Sequence, residues 1–237
     1  MNKISWLDPL EVDFPSIHEA LDEPNGLIAA GGDLSPERLL LAYRRGIFPW
    51  YEQGQPILRW SPNPRAVLFP EALKISRSLR KTLNRRTFEV KLDTAFDEVL
   101  QRCSEPREYT AGTWITLEMK LAYERLHRLG FAHSIECFHD GELVGGLYGV
   151  GLGRMFFGES MFHRMTDASK VALAYLCRLM RQERGPLIDC QIPNDHLMSL
   201  GAAEMERAEF ERYLSHYTAT DEEAIDWTRL PSDLGPW

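Results

Sequence analysis

Residues 133 to 148 constrain the fold more than any other stretch of this chain. His133-Ser134-Ile135-Glu136-Cys137-Phe138-His139 and Glu142-Leu143-Val144-Gly145-Gly146-Leu147-Tyr148 flank Asp140-Gly141. Asp-Gly between two such runs is a favoured two-residue hairpin turn, because both turn residues must take positive φ. An antiparallel pair needs an apolar partner layer, and the surrounding periodicity supplies it. Strands are predicted at about 87–91, 132–139, 142–150, 153–158 and 186–191, and helices at about 72–84, 93–103, 115–129, 166–184 and 207–214. Gly149-Val150-Gly151-Leu152-Gly153 lies between two predicted strands and reads as a turn. The order implies an α/β (α+β) domain with a mixed sheet flanked by helices.

Before this region, Ser35-Pro36-Glu37-Arg38 offers a helix N-cap, proline at the first helical position and an acidic first turn. The helix it starts should end at Gly46. Pro49, Pro56, Pro62, Pro64 and Pro70, with Trp50 and Trp60 among them, predict a rigid, irregular connection. The expected division is a small domain over 1–63 and a main domain over 64–237. The 44% hydrophobic and 26% charged composition is that of a globular protein. No stretch reaches the roughly 18 to 20 apolar residues of a membrane span, and the first residues carry Asp8, Glu11 and Asp13 where a leader would be basic and then apolar. A cytoplasmic location without membrane contact is expected, as is a monomer. Cys103, Cys137, Cys177 and Cys190 show no metal-ligand spacing, so reduced thiols and no metal are expected.

The net charge of −8 disfavours a general nucleic-acid binder, yet charge is unevenly spread. Lys74, Arg77, Arg80, Lys81, Arg85, Arg86 and Lys91 fall in one stretch with a single acidic residue, Glu89. Such a face suits phosphates, and it equally suits plain solvation of a helix.

The densest polar sequence is Leu187-Ile188-Asp189-Cys190-Gln191-Ile192-Pro193-Asn194-Asp195-His196, where a buried-strand pattern runs into a carboxylate and two amides. Buried groups of that kind need partners or a chemical task. On a regular strand Asp189 and Gln191 share one face and Cys190 takes the other, so a catalytic thiol is not expected.

Together with Met155-Phe156-Phe157-Gly158-Glu159-Ser160-Met161-Phe162, Gly46-Ile47-Phe48-Pro49-Trp50 and Trp60-Ser61-Pro62-Asn63-Pro64-Arg65, this segment closely resembles the leucyl/phenylalanyl-tRNA–protein transferase family, from about Asn25 to Ala202. The resemblance implies an acetyltransferase-like (GNAT-like) main domain. It also implies transfer of Leu or Phe, and less readily Met, from aminoacyl-tRNA to proteins beginning with Arg or Lys, which marks them for N-end rule degradation. An aminoacyl ester is already activated, so no ATP, metal or other cofactor is required. Functional roles are implied for Asp189 and Gln191: Gln191 holds the incoming α-amine, and Asp189 polarises that contact and takes up the proton. Glu159 would receive the acceptor's cation, unless it is a structural ion-pair partner of Arg164 or Lys170. Asn194 would bind acceptor backbone or donor amine, unless it only makes a turn after Pro193.

Leu147, Phe156, Gly158, Met161, Leu173 and Ile188 can line the donor pocket, although each suits plain core. Trp50 and Trp114 would stack on the terminal adenosine, framed by Tyr43 and Tyr123. Arg77, Arg80, Lys81, Arg85 and Arg86 would contact acceptor-stem phosphates. Two other readings remain: an acyl-coenzyme A N-acetyltransferase, disfavoured because Phe162 to Lys170 holds no glycine for a pyrophosphate turn, and a non-catalytic RNA-binding module.

Overall fold

The computed structural model describes residues 4–105, 115–220, 224–231 and 237. Two sheets organise them. The smaller is built from β1 (Ser5–Leu7), β2 (Leu27–Gly31), β3 (Phe48–Pro49) and β4 (Leu58–Trp60), in the order β1-β2-β4-β3. Helix α1 (Pro36–Arg44) packs on it through Ala42, with Ile28, Ala29 and Ile47 in the same apolar cluster. Its start is as expected: Ser35 Oγ accepts from the Arg38 N–H at 3.4 Å, and Pro36 fills the first turn. The proline-rich stretch is more ordered than its composition predicts, since it holds β4, the end of β3 and the start of the next strand. Pro56, Pro62 and Pro64 fall between the ladders, where their missing N–H costs nothing. Strands of two to four residues are also too short for alternation to register.

The larger sheet comprises β5 (Arg65–Leu68), β6 (Glu89–Leu92), β7 (Ala132–His139), β8 (Glu142–Leu152), β9 (Met155–His163), β10 (Ile188–Gln191) and β11 (Ala203–Met205), in the order β11-β5-β10-β9-β8-β7-β6. Its helices are α2 (Arg77–Asn84), α3 (Phe96–Cys103), α4 (Leu117–Arg128), α5 (Ala168–Gln182), α6 (Asp195–Ser199) and α7 (Arg207–Tyr217). The Asp140-Gly141 hairpin forms as expected, with His139 opposite Glu142 and positive φ at both turn residues. Strands β8 and β9 both run further than their predicted ends. Gly149 and Gly151 lie inside β8, where a Cβ would come within 2.2 Å of the Phe157 carbonyl oxygen and 2.7 Å of Trp227 Nε1 respectively. Close packing, rather than a turn, explains these two glycines, and the turn is confined to Gly153-Arg154.

Alternation along β8 and β9 sorts side chains into two layers. Tyr148 and Phe157 join Val99, Met119 and Tyr123 beneath α3 and α4, whereas Leu147 and Phe156 join Leu173, Leu176 and Ile188 beneath α5. Every neighbouring pair in this sheet is antiparallel except β9 and β10, which are parallel and joined through α5. Antiparallel strands, a long helix and then a parallel strand make up the order expected of an acetyltransferase-like domain. The parallel pairing lasts for only two positions, Ile188 with Phe156 and Asp189 with Phe157. Gln191 then takes φ +64 and β10 shifts register against β5, while β9 continues to His163. The two strands part, and a space opens between them.

Candidate active site

A cavity of about 600 Å³ fills this fork. All six residues read as donor-pocket candidates line it: Leu147, Phe156, Gly158, Met161, Leu173 and Ile188. Trp50, Glu159, Gln191 and Asn194 line it as well, so one wall is apolar and another polar. Gly158 keeps the neck open, since nothing nearer than the Asp189 carbonyl oxygen, at 3.4 Å, would meet a Cβ there. Trp50 stands at the mouth, 41% exposed, tilted against Trp60 at 5.6 Å between ring centroids, and its carbonyl accepts from Trp60 Nε1 at 2.7 Å. Trp114 lies outside the described residues. Asn194 is the N-cap of α6, with its Oδ1 accepting from the Leu197 N–H at 2.9 Å, so the turn-forming role does hold; the residue is also among those that line the cavity.

Glu159 is the chemical centre of the polar wall. It lies within β9 rather than beyond its end, and only 9% of it is exposed. Tyr43 Oη donates to its Oε1 at 2.7 Å, Tyr123 Oη donates to its Oε2 at 2.9 Å, and Gln191 Nε2 donates to Oε1 at 2.8 Å. The hydroxyls of Tyr43 and Tyr123 also touch one another. This Glu–Tyr–Tyr ring has three oxygen–oxygen contacts but only two phenolic protons, so it closes fully only when the carboxyl supplies the third. Burial is the largest influence on Glu159 and pushes its pKa up to about 7, against the hydrogen bonds from Tyr43, Tyr123 and Gln191 and with help from the nearby Asp189 charge. Both tyrosines are pushed upward, first by burial and then by the Glu159 charge, and stay protonated. Tyr43 and Tyr123 therefore support Glu159 from behind instead of framing the entrance. The alternative ion pairs for Glu159 do not form: Arg164 pairs with Glu105 at 3.0 Å and Lys170 with Asp167 at 3.2 Å.

Asp189 is placed differently. Its side chain is fully buried, and both oxygens are taken by the equally buried Arg65, Nε to Oδ1 at 2.8 Å and Nη2 to Oδ2 at 2.6 Å. Arg65 is sandwiched between the rings of Phe48 and Phe210, 4.8 Å from each centroid, and Nη1 donates to the Gly46 carbonyl at 3.1 Å. Asp189 is not among the residues lining the cavity. What it holds is the Gln191 backbone, whose N–H donates to Oδ1 at 2.9 Å. The expectation that a regular strand sets the two side chains together gives way to a bulge: positive φ at Gln191 breaks the alternation, turning the amide toward Glu159. For the same reason Cys190 also lines the cavity instead of facing away, and burial keeps its thiol protonated by raising its pKa.

Phe48, Pro49, Tyr148, Ser160, Leu176, Ile192, His196 and Leu197 complete the wall without having been read as site candidates in the sequence. Tyr148 was not legible, since regular alternation along β8 assigns it to the face opposite Leu147. His196, at the rim, is held below the usual histidine range by partial burial and then by Lys170 and His163. Arg77, Arg80, Lys81, Arg85 and Arg86 are exposed on and just after α2, and among the described residues no carboxylate pairs with them. No group of three or more metal-ligating side chains occurs among the described residues, and no helix there is long and apolar enough to cross a membrane.

Two family models match the chain: the leucyl/phenylalanyl-tRNA protein transferase model over residues 67–215 and the corresponding N-terminal domain model over 32–63. Among relatives that carry the name leucyl/phenylalanyl-tRNA–protein transferase, one from Nitrosomonas eutropha is 56% identical over 217 residues, 92% of this chain and 93% of that protein. Another, from Azoarcus sp. strain BH72, is 56% identical over 234 residues, covering 99% of both, and one from Aromatoleum aromaticum is 59% identical over 215 residues, 91% and 90% respectively. Among solved structures, L-PGS from Bacillus licheniformis covers 79% of this chain and 63% of its own at a TM-score of 0.40 and 12% identity, a likeness too low to bear on substrate or mechanism. Matched over most of its length by the family models and along nearly all of it by these relatives, the chain that carries this cavity belongs to the leucyl/phenylalanyl-tRNA–protein transferase family.

Proposed function

We propose that the protein transfers a leucyl or phenylalanyl group, and more slowly a methionyl group, from aminoacyl-tRNA to the α-amine of proteins beginning with Arg or Lys, in the cytoplasm, so marking them for N-end rule degradation. The observation that carries this reading is the composition of one cavity: an apolar set of lining side chains that suits a Leu or Phe side chain, continuous with a carboxyl and an amide that suit an amine. The donor side chain enters the apolar part beneath α5. Met161 adapts to its shape, and such a pocket separates apolar donors by only about 1–3 kcal/mol per methylene.

Gln191 spends its Nε2 on Glu159, which leaves its Oε1 to accept a hydrogen bond from the acceptor's amine. Glu159 supplies the negative charge that draws the cationic acceptor terminus. An α-ammonium has a pKa of about 7.7–8.0, close enough to the value of about 7 at Glu159 for proton transfer to cost little in either direction. The freed nitrogen attacks the ester carbonyl, the carbon–nitrogen bond forms as the bond to the ribose oxygen breaks, and the nitrogen's remaining surplus proton ends on that oxygen. Positioning supplies the greater part of the acceleration. Asp189 acts through the backbone of Gln191 and is assigned here as a positioning residue. Trp50 and Trp114 stack on the tRNA end, Asn194 binds the acceptor or donor at the rim, and Arg77, Arg80, Lys81, Arg85 and Arg86 meet phosphates.

The test is transfer of labelled leucine from leucyl-tRNA to a peptide beginning with Arg, compared with one beginning with Ala, by wild type and Gln191→Ala. Transfer is expected to the Arg peptide and to fall roughly a hundredfold in the variant, the scale of a misplaced nucleophile, with tRNA binding retained. A folded wild-type protein that transfers nothing would refute the reading, and binding of coenzyme A would favour an acetyltransferase instead.

A further inference from the structure

Trp227 lies outside both family-matched segments, yet its ring packs against Phe156, which lines the cavity. In the β8–β9 ladder Phe156 sits opposite Gly151, and the ring would be expected to rest there. The space over Gly151 is occupied instead by the Trp227 indole, which leaves no room for a Cβ, the nearest indole atom being 2.7 Å from that position. The Phe156 ring lies over Gly149, two residues along β8, where its Cζ would be 2.6 Å from a Cβ. Gly149 pairs with Gly158, so the ring is displaced toward the fork. It packs against Trp227 at 5.3 Å between centroids and forms part of the cavity wall.

The indole is itself fixed. It stacks on His133 at 4.4 Å, with the planes 9° apart, and His133 is held by Asp93 at 2.7 Å and by the Gly130 carbonyl at 3.1 Å. The segment is anchored two residues earlier, where the buried Ile225 donates its N–H to the Gly153 carbonyl at 3.0 Å. Two glycines on β8 thus make a trench that holds two rings in series, and the outer ring sets where the inner one rests.

We propose that Trp227 is a specificity-determining positioning residue, which fixes the depth of the donor pocket by holding Phe156 forward. The inference rests on the reading of that cavity as the site of the Leu or Phe side chain. With the indole removed, Phe156 is free to settle back over Gly151 and the pocket deepens. A larger donor then gains contacts and a smaller one loses them.

The experiment compares kcat/KM for phenylalanyl-tRNA with that for leucyl-tRNA in wild type, Trp227→Phe and Trp227→Ala, on one Arg-initiated peptide. The Phe-to-Leu ratio is expected to rise about fivefold or more in Trp227→Ala, within the range a methylene-sized change in pocket depth produces, and to take an intermediate value in Trp227→Phe. Because it is a ratio measured on one preparation, partial unfolding of a variant does not alter it. Equal losses with both donors would overturn the inference and make Trp227 a scaffold residue. Wild type active with neither donor would instead refute the proposed function, and this inference with it.

Discussion

Glu159 places a carboxyl where a protein interior resists charge, and its surroundings decide how that resistance is felt. Its pKa is raised to about 7 by burial, above the ordinary unfolded value of about 4.3. A carboxyl raised on folding contributes stability that is fully present below the unfolded pKa and is lost as pH climbs through the folded one. Wild type is therefore expected to lose stability relative to Glu159→Gln between about pH 4.5 and pH 7.5, by a few kcal/mol at about 1.4 kcal/mol per pKa unit, read as the difference of their urea midpoints across that range. A difference that stays flat would mean the carboxyl titrates normally. The sequence displayed Glu159 at the end of an apolar run, but not its partners, since Tyr43 and Tyr123 lie 116 and 36 residues away. It displayed Asp189 and Gln191 together and suggested side-by-side carboxylate and amide; nothing in the letters signals that Gln191 takes positive φ, a conformation usually left to glycine or asparagine.

At the scale of elements, the long, strongly patterned pieces were legible: the hairpin β7–β8, α4, α5 and the start of β9. Of the short ones only β6 and β10, of four residues each, overlap a predicted strand. Strands β1, β3, β4, β5 and β11 have two to four residues each, and their stability comes from neighbours distant in sequence rather than from their own composition. Strand β5 shows the consequence, because its first residue, Arg65, is fully buried and pairs with Asp189 across the β5–β10 ladder. Removing one member of a buried, bidentate pair leaves the other charge without compensation, at a cost of about 3–5 kcal/mol. Arg65→Ala and Asp189→Ala are each expected to lower stability by that amount, while Arg65→Met with Asp189→Leu recovers much of it. If Asp189→Ala melts like wild type while transfer collapses, Asp189 takes part in the chemistry directly and the positioning role assigned to it here is wrong.

For the whole molecule, a net charge of −8 disfavours polyanions in general, while the exposed basic residues on and after α2 offer them a local place to bind. Changing Arg85→Ala together with Arg86→Ala is expected to raise the KM for aminoacyl-tRNA several-fold at low salt and to flatten the salt dependence by about one to two units of log–log slope, since each phosphate contact contributes about 0.7–0.9 to that slope. A steep slope retained in the variant would place the phosphates elsewhere. The Arg65 clasp carries a consequence for how the molecule is made. Its guanidinium gathers Gly46, Phe48, Asp189 and Phe210, and Trp227 backs the lining residue Phe156. A ribosome synthesises these positions in that order, so a growing chain that has already displayed its tyrosines, its glutamate and its basic helix still lacks the pieces that close the fork. The fork is therefore closed only late in synthesis, once β10 and α7 have joined the strands and helices made before them.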